Sequence, residues 1–525
     1  MTAAEPAGAI RRQTLGDLLR RTAGRLPDKP AVICGELTWT YAELDRIANR
    51  LARGLAGLGV GVGDRVAILA RNSHAFVALR FALARLGAVL VPINFMLNAD
   101  EVAFVLGHAG ARLLAVGPDL VALAQAATDR AAGRDTAVEQ VVWLPGEAGG
   151  TPPDGMLSFD GVLAADATPP EVAVDNRAPV QIIYTSGTEA RPKGAMLTHE
   201  AVLWEYVSCV IEGEIAEGDR ILHALPLYHC AQLDVFLGPA IYVGATNVIT
   251  AAPVPDNLIA LFVRHRVTSF FAPPSVWIAL LRSPALAAAG DLPLAKGYYG
   301  ASIMPVEVLR ELAARLPAVR LWNFYGQTEI APLATVLRPE DQLRKAGSAG
   351  RPVLNVETRV VDDALRDVAP GEVGEIVHRS PQLLTGYFHD DERTAAAFAG
   401  GWFHSGDLAT IDAEGYITVV DRKKDMIKTG GENVSSREVE EVIYQLAGVS
   451  EVAVVGLPDP YWIEAVTAVV VGVPGHALDA AQVIAHCRDR IAHFKVPKRV
   501  VFVDALPKNP SGKLLKRELR QTLGR

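Results

Sequence analysis

Hydrophobic positions along this chain alternate between two rhythms. After the TYAE segment at 40–43, apolar residues fall at Leu44, Ile47, Ala48, Leu51 and Leu55. This three-and-four spacing predicts a helix with one buried face. Thr40 and Glu43 fit a capping box: the hydroxyl accepts from an early helix N–H and the carboxylate reaches back. Gly59 and Gly61 close the helix, and RVAILA at 65–70 reads as a buried strand. A helix over 74–86 and a strand over 88–92 follow. Strand alternating with helix predicts an α/β fold whose parallel sheet is covered on both faces.

The rhythm changes twice further on. The Ala-rich stretch at 122–139 predicts a surface helix, and PGEAGGTPPDG at 145–155 a loop. From about 347 to 420, short β-rich runs (ETRVVDD, GEIVHRS, GYITVVD) are separated by Gly, Pro and Asp. They predict a small antiparallel barrel or sheet. Beyond DRKKD at 421–425 come a helix near 436–446, strands near 452–456 and 465–473, another helix, and a polar tail rich in Pro, Gly and Lys. We expect a large N-terminal domain over 1–421, made of layered α/β subdomains plus a small β-barrel. A small α+β C-terminal domain over 422–525 completes the chain, with the charged run as the hinge.

Composition narrows the class. A chain of 525 residues exceeds what one hydrophobic core usually serves, which agrees with at least two domains. A formal net charge of −8 gives no basic face for nucleic acid. The most apolar stretch, 76–93, is interrupted by Arg80 and Arg85 and does not read as a membrane span. The N-terminus lacks the apolar core of a signal peptide. Cys34, Cys209, Cys230 and Cys487 form no metal-ligand spacing and are expected as reduced thiols. A cytoplasmic protein is the expectation.

The segment YTSGTEARPKG at 184–194 follows an apolar run at 180–183 that reads as a strand. Clustered hydroxyls, a glycine that lets backbone approach closely, and one lysine suit a loop that wraps phosphates. It is not a Walker A loop, because Pro192 stands where the second glycine belongs. This loop resembles the phosphate-binding motif of the adenylate-forming superfamily, YTSGTTGxPKG, with Glu189 and Ala190 where Thr and Gly are common. The fatty-acyl-CoA ligase type of AMP-forming synthetase is the branch the chain is most similar to.

Further motifs of that superfamily follow in order. The resemblance assigns Thr185, Ser186, Gly187, Thr188 and Lys193 to the phosphates. In the NFYGQTE segment, where Asn323, Gly326 and Gln327 frame the motif, it places Tyr325 on adenine, Thr328 at the α-phosphate and Glu329 on Mg²⁺. A carboxylate suits a magnesium ion shared with substrate phosphates. Gly300, Ala301 and Ser302 match the segment lining the adenine and acyl pockets. Asp407 matches the ribose ligand, whose two oxygens suit two hydroxyls. Arg422 matches a second nucleotide contact and Lys424 the hinge. In LPKNPSGK at 506–513, Lys513 matches the main catalytic cation: an ammonium bridging carboxylate and α-phosphate offsets their repulsion and fixes the line of attack. Lys428, with Gly430 and Gly431, resembles the loop that enters the site for thioester formation. Domain rotation about Lys424 would exchange Lys513 for that loop.

The resemblance therefore implies an acid:CoA ligase using ATP, Mg²⁺ and coenzyme A. The acid would be activated as its acyl-adenylate and then passed to the CoA thiol. His229 would gate the carboxylate, and Tyr299 would border the acid. Asp234, if it points into the pocket, would repel a carboxylate or select a polar or cationic group; if outward, it has no role. The aromatic segments at 270–274, Trp277 and Tyr298 look most like the fatty-acyl branch. No insertion of the fatty acyl-AMP ligase kind occurs between Thr328 and Pro352, and an aryl or alicyclic acid stays open. A homodimer is compatible with this reading. Two alternatives stand beside it: an enzyme of the thioester half-reaction only, motivated by Glu189, Ala190 and Asp234, and a non-catalytic acyl or nucleotide binder.

Overall fold

The computed structural model describes residues 10–131, 138–185, 192–302, 304–422, 425–429, 432–508 and 514–524. The helix expected from the TYAE segment runs Tyr41–Gly57, and both halves of its capping box are made. It packs on the helix His74–Leu86, every residue of which is buried. This central position explains why 76–93 is so apolar: the helix is covered all round by protein. Among the described residues, no helix is long and apolar enough to cross a membrane.

Two large sheets carry the N-terminal part. One has eight strands, ordered Gly386–Tyr387, Lys193–Thr198, Pro179–Thr185, Val89–Pro92, Arg65–Leu69, Ala111–Val116, Gln140–Trp143 and Leu157–Ser158. The predicted strand at 65–70 lies at its centre, with Val66 opposite both Leu90 and Leu113 in parallel ladders. The other has nine strands and includes Ser269–Phe271, Lys296–Gly300, Arg320–Gly326 and Leu333–Leu337 in neighbouring positions. The first three of these four are parallel, and Leu333–Leu337 returns antiparallel.

One expected element is shorter. The helix placed at 122–139 occupies Val121–Ala131. Gln140–Trp143 instead joins the sheet, parallel to Ala111–Val116, with Val142 opposite Ala115.

The β-rich region forms a four-stranded antiparallel sheet: Glu357–Val361, Gly374–Arg379, Phe403–Ile411, Ile417–Arg422. Among the described residues no ladder joins its two outer strands. Beyond it lies a smaller α+β domain. Its five-stranded sheet is built on the long hairpin Val449–Asp459 and Ile463–Gly472, backed by the helices Ser436–Tyr444 and Ala480–Arg488.

Candidate active site

The strands Pro179–Thr185 and Lys193–Thr198 form an antiparallel hairpin with Thr185 opposite Lys193. Its connection is the hydroxyl-rich loop. Ser186, Gly187 and Thr188 lie outside the described residues, as do Glu189 and Ala190. The two ends of the loop are thus fixed in the sheet.

Lys193 faces a carboxylate from the other sheet. Glu329 lies in the 3₁₀ turn Thr328–Ile330, just past the strand Arg320–Gly326. Lys193 Nζ is 2.8 Å from Glu329 Oε1. Between them stands Tyr387, whose hydroxyl accepts from Lys193 Nζ at 2.7 Å and donates to Glu329 Oε1 at 2.9 Å. Burial pushes the Glu329 carboxyl up. The charge and hydrogen bond of Lys193, with help from Tyr387, outweigh it and hold the group below the usual carboxylate range. The corner therefore presents an ionised carboxylate and an ammonium side by side.

The segment 323–329 links this corner to Asp407. Tyr325 donates through its hydroxyl to Asp407 Oδ2 at 2.7 Å. Arg422 Nε lies 2.9 Å from Asp407 Oδ1, directly across the ladder. Asn323 donates through Nδ2 to Ser348 O at 2.9 Å, which ties the strand down. Two glycines are sterically required. A Cβ on Gly326 would sit 1.7 Å from Pro332 O, and one on Gly300 would sit 2.4 Å from Phe324 O. Any side chain there would force the backbone apart. Thr185 Oγ1 and Gln327 Nε2 are buried with no partner among the described residues. Buried polar atoms are rarely left so.

A cavity of about 940 Å³ opens between the N-terminal part and the small domain. Ala301, Ser302, Asn323, Tyr325, Gly326, Asp407 and Arg422 line one side, and Arg437, Glu440, Lys508 and Lys516 the other. Lys508 and Leu514, which flank the terminal lysine motif, both face this space. Lys513 itself, Lys424, Gly430 and Gly431 lie outside the described residues. Lys428 stands exposed on the strand Ile427–Thr429 and is not among the residues lining the cavity.

Three substrate expectations are placed differently from one another. His229 caps the short helix Cys230–Gln232, its Nδ1 accepting from Ala231 N at 3.1 Å. Tyr299 is in the core, and its hydroxyl donates to Gln342 Oε1 at 2.7 Å. Its ring packs in the core beside Phe270 and Trp277. Asp234 does not point outward. It is completely buried, with Oδ1 accepting from Arg80 Nη2 at 2.7 Å and from Tyr206 at 3.2 Å, and Oδ2 from Gln181 Nε2 at 2.7 Å. Its charge faces Arg80 inside the protein.

Sequence reasoning missed Tyr387 and Cys230. Cys230 Sγ lies 3.3 Å from Thr328 Oγ1. Neither had a local signal. Tyr387 sits on the two-residue strand Gly386–Tyr387, and only its pairing with Ala195 brings it to Lys193.

Comparison with known proteins agrees with this geometry. Residues 19–388 match the family described as AMP-binding enzyme, and residues 438–513 match the AMP-binding enzyme C-terminal domain. A feruloyl-CoA synthase of Amycolatopsis sp is 38% identical over 515 residues, covering 98% of this chain and 100% of the relative. An indoleacetate–CoA ligase of Aromatoleum aromaticum is 37% identical, covering 97% of this chain and 98% of the relative. The solved structure of a Mycobacterium tuberculosis fatty acyl CoA synthetase superposes with a TM-score of 0.76 at 35% identity, covering 97% of this chain and 98% of that one. The chain belongs to the AMP-binding enzyme family, and within it to the AMP-forming acid:CoA ligases of the adenylate-forming superfamily.

Proposed function

We propose that this enzyme joins a hydrophobic carboxylic acid to coenzyme A in two steps at the site described. The observation that carries the reading is the continuity of the segment 323–329. One short run of backbone delivers Tyr325 to Asp407 and Glu329 to Lys193. This supports reading Asp407 as the ribose ligand and Lys193 with Glu329 as the phosphate end of one nucleotide site.

In the first step the substrate carboxylate attacks the α-phosphorus of ATP and pyrophosphate leaves. Lys193, with the hairpin loop, would bind the departing phosphates, Thr328 the α-phosphate, and Asp407 with Arg422 the ribose. Glu329 fits Mg²⁺: it is a hard oxygen donor held ionised beside the Lys193 ammonium. When bound, that ion supplies neutralising charge on the triphosphate. Lys513 would bridge the carboxylate and the α-phosphate and steer the attack. In the second step the CoA thiolate attacks the acyl carbon, the acyl–phosphate bond breaks, and AMP leaves. Rotation of the small domain about Lys424 would bring Lys428, Gly430 and Gly431 to the site for this step. That Lys508 and Leu514 line the cavity while Lys428 does not supports an arrangement poised for the first step.

The hydrophobic acid is supported by the relatives named above, a feruloyl-CoA synthase and an indoleacetate–CoA ligase, and by Phe324, which lines the cavity. Behind Phe324 the core rings Phe236 and Phe271 stack, with Phe236 at 4.5 Å from Phe271 and 5.7 Å from Phe324 between ring centroids. The nearby Asp234 is neutralised and sealed. Sequestration of Asp234 also removes one motive for a half-reaction enzyme. We carry a cytoplasmic homodimer as part of the same reading, for which light scattering measures the subunit number.

Lys513→Ala tests the division of labour. Pyrophosphate exchange should fall by at least about a hundredfold, while CoA transfer from a synthetic acyl-adenylate stays near wild type. Equal loss in both steps would contradict the assignment. A panel of aryl, indolyl and aliphatic acids with ATP and CoA, read by mass of the thioesters, identifies the substrate class. Product only from strongly polar acids would overturn the hydrophobic assignment.

A further inference from the structure

The Lys193–Glu329 pair is closed by a third side chain. We propose that Tyr387 is a positioning residue for adenylate formation, its hydroxyl fixing the Glu329 carboxylate for metal-bound triphosphate. This rests on the reading of Lys193 and Glu329 as nucleotide residues.

The three polar atoms form a closed triangle. Lys193 Nζ to Tyr387 hydroxyl is 2.7 Å, the hydroxyl to Glu329 Oε1 is 2.9 Å, and Nζ to Oε1 is 2.8 Å. A phenol has one proton to give. Here it goes to the carboxylate, and a lone pair receives the ammonium. Lys193 Nζ also lies 4.3 Å from the centroid of the same ring, so the aromatic face and the hydroxyl hold one cation together.

Tyr387 is itself well fixed. Its strand pairs with Ala195 and Met196, and its backbone N–H donates to Thr394 Oγ1 at 2.9 Å. The neighbouring Phe388 N–H donates to Gly194 O at 2.8 Å. Glu329 is anchored on the same segment, since Leu384 N–H donates to Glu329 O at 2.8 Å. The run 384–388 therefore spans from the backbone of the glutamate to the strand of the lysine.

This construction matters when the triphosphate arrives. Phosphate draws Lys193 away from Glu329, and the ion pair no longer orients the carboxylate. The hydroxyl of Tyr387 does not depend on that pairing and keeps its hold on Oε1. Without it, the carboxylate is left to rotate, and metal-bound nucleotide meets a disordered ligand. The loss falls on metal-dependent binding and on the first step. Metal-free AMP, held at Asp407 and Arg422, and the thioester step are spared.

Tyr387→Phe removes only the hydroxyl and keeps the ring under Lys193. Calorimetric titration of MgATP without any acid, where no chemistry occurs, should show affinity weakened about tenfold. Binding of AMP without metal should match wild type and report an intact fold. Pyrophosphate exchange should need correspondingly more Mg²⁺, and CoA transfer from a synthetic acyl-adenylate should be unchanged. Tyr387→Leu, which also removes the ring, should weaken MgATP further on the same axis. MgATP affinity equal to wild type in Tyr387→Phe, or equal losses in AMP binding and both half-reactions, would overturn the proposal. A wild-type enzyme that exchanges label with no acid would overturn the proposed function instead. The MgATP titration needs no acid and would still decide Tyr387.

Discussion

Two carboxylate–cation pairs in this molecule share one design and differ in one respect. Glu329 with Lys193 and Asp234 with Arg80 each join a carboxylate to a cation across separate elements, and each has a tyrosine hydroxyl donating to the carboxylate. Arg80 and Asp234 are 2% and 0% exposed, whereas Lys193 keeps 27%. The sealed pair has every carboxylate oxygen taken by protein. In the open pair Lys193 stands at the end of the hydroxyl-rich hairpin and is reached by solvent, so it can meet other partners. Sequence chemistry is the same in both; access decides which pair is structural and which can meet a ligand.

The largest expected effect breaks the sealed pair. Asp234→Asn leaves a buried guanidinium without its counter-charge and should lower stability by about 3–5 kcal/mol, measured by urea unfolding. Activity per folded molecule should survive. If pyrophosphate exchange falls while stability holds, Asp234 faces the acid after all.

Next, Glu329→Gln removes charge from the open pair. Pyrophosphate exchange should fall about a hundredfold, with a melting temperature close to wild type, because Lys193 retains access to water. Loss of stability on the scale of Asp234→Asn would erase the distinction drawn here.

Replacing both members of the sealed pair sharpens it further. Arg80→Met with Asp234→Leu should cost much less than Asp234→Asn alone, since an apolar pair of similar volume carries no desolvation penalty. A double variant as unstable as the single one would mean that the pair is needed for packing rather than for charge balance.

The smallest effect comes from Tyr206→Phe, which deletes the hydroxyl that donates to Asp234 Oδ1. It should cost about 1 kcal/mol of stability and leave MgATP binding alone. Tyr387→Phe removes the matching atom from the open pair and should do the reverse.

Much of the site was legible in the chain. The capping box at Thr40 and Glu43, the buried run at 65–70 and the helix at 74–86 are local, and the structure has them all. Lys193, Glu329, Asp407 and Arg422 stood out because the segments around them resemble, in order, the motifs of the adenylate-forming superfamily. Tyr387 did not stand out, because nothing within a few residues of it speaks of phosphate. Asp234 stood out for the wrong reason: its partners Arg80, Gln181 and Tyr206 are far away along the chain.

The chain alone determined the alternation of elements, the class of fold and the inventory of chemical groups, because periodicity, caps and glycine-bearing turns act over a few residues. Only the folded structure decided which carboxylate is sealed and which is reachable, and that a tyrosine on a two-residue edge strand closes the lysine–glutamate corner. Burial and partner choice arise from contacts between residues distant in the chain, and no local pattern encodes them.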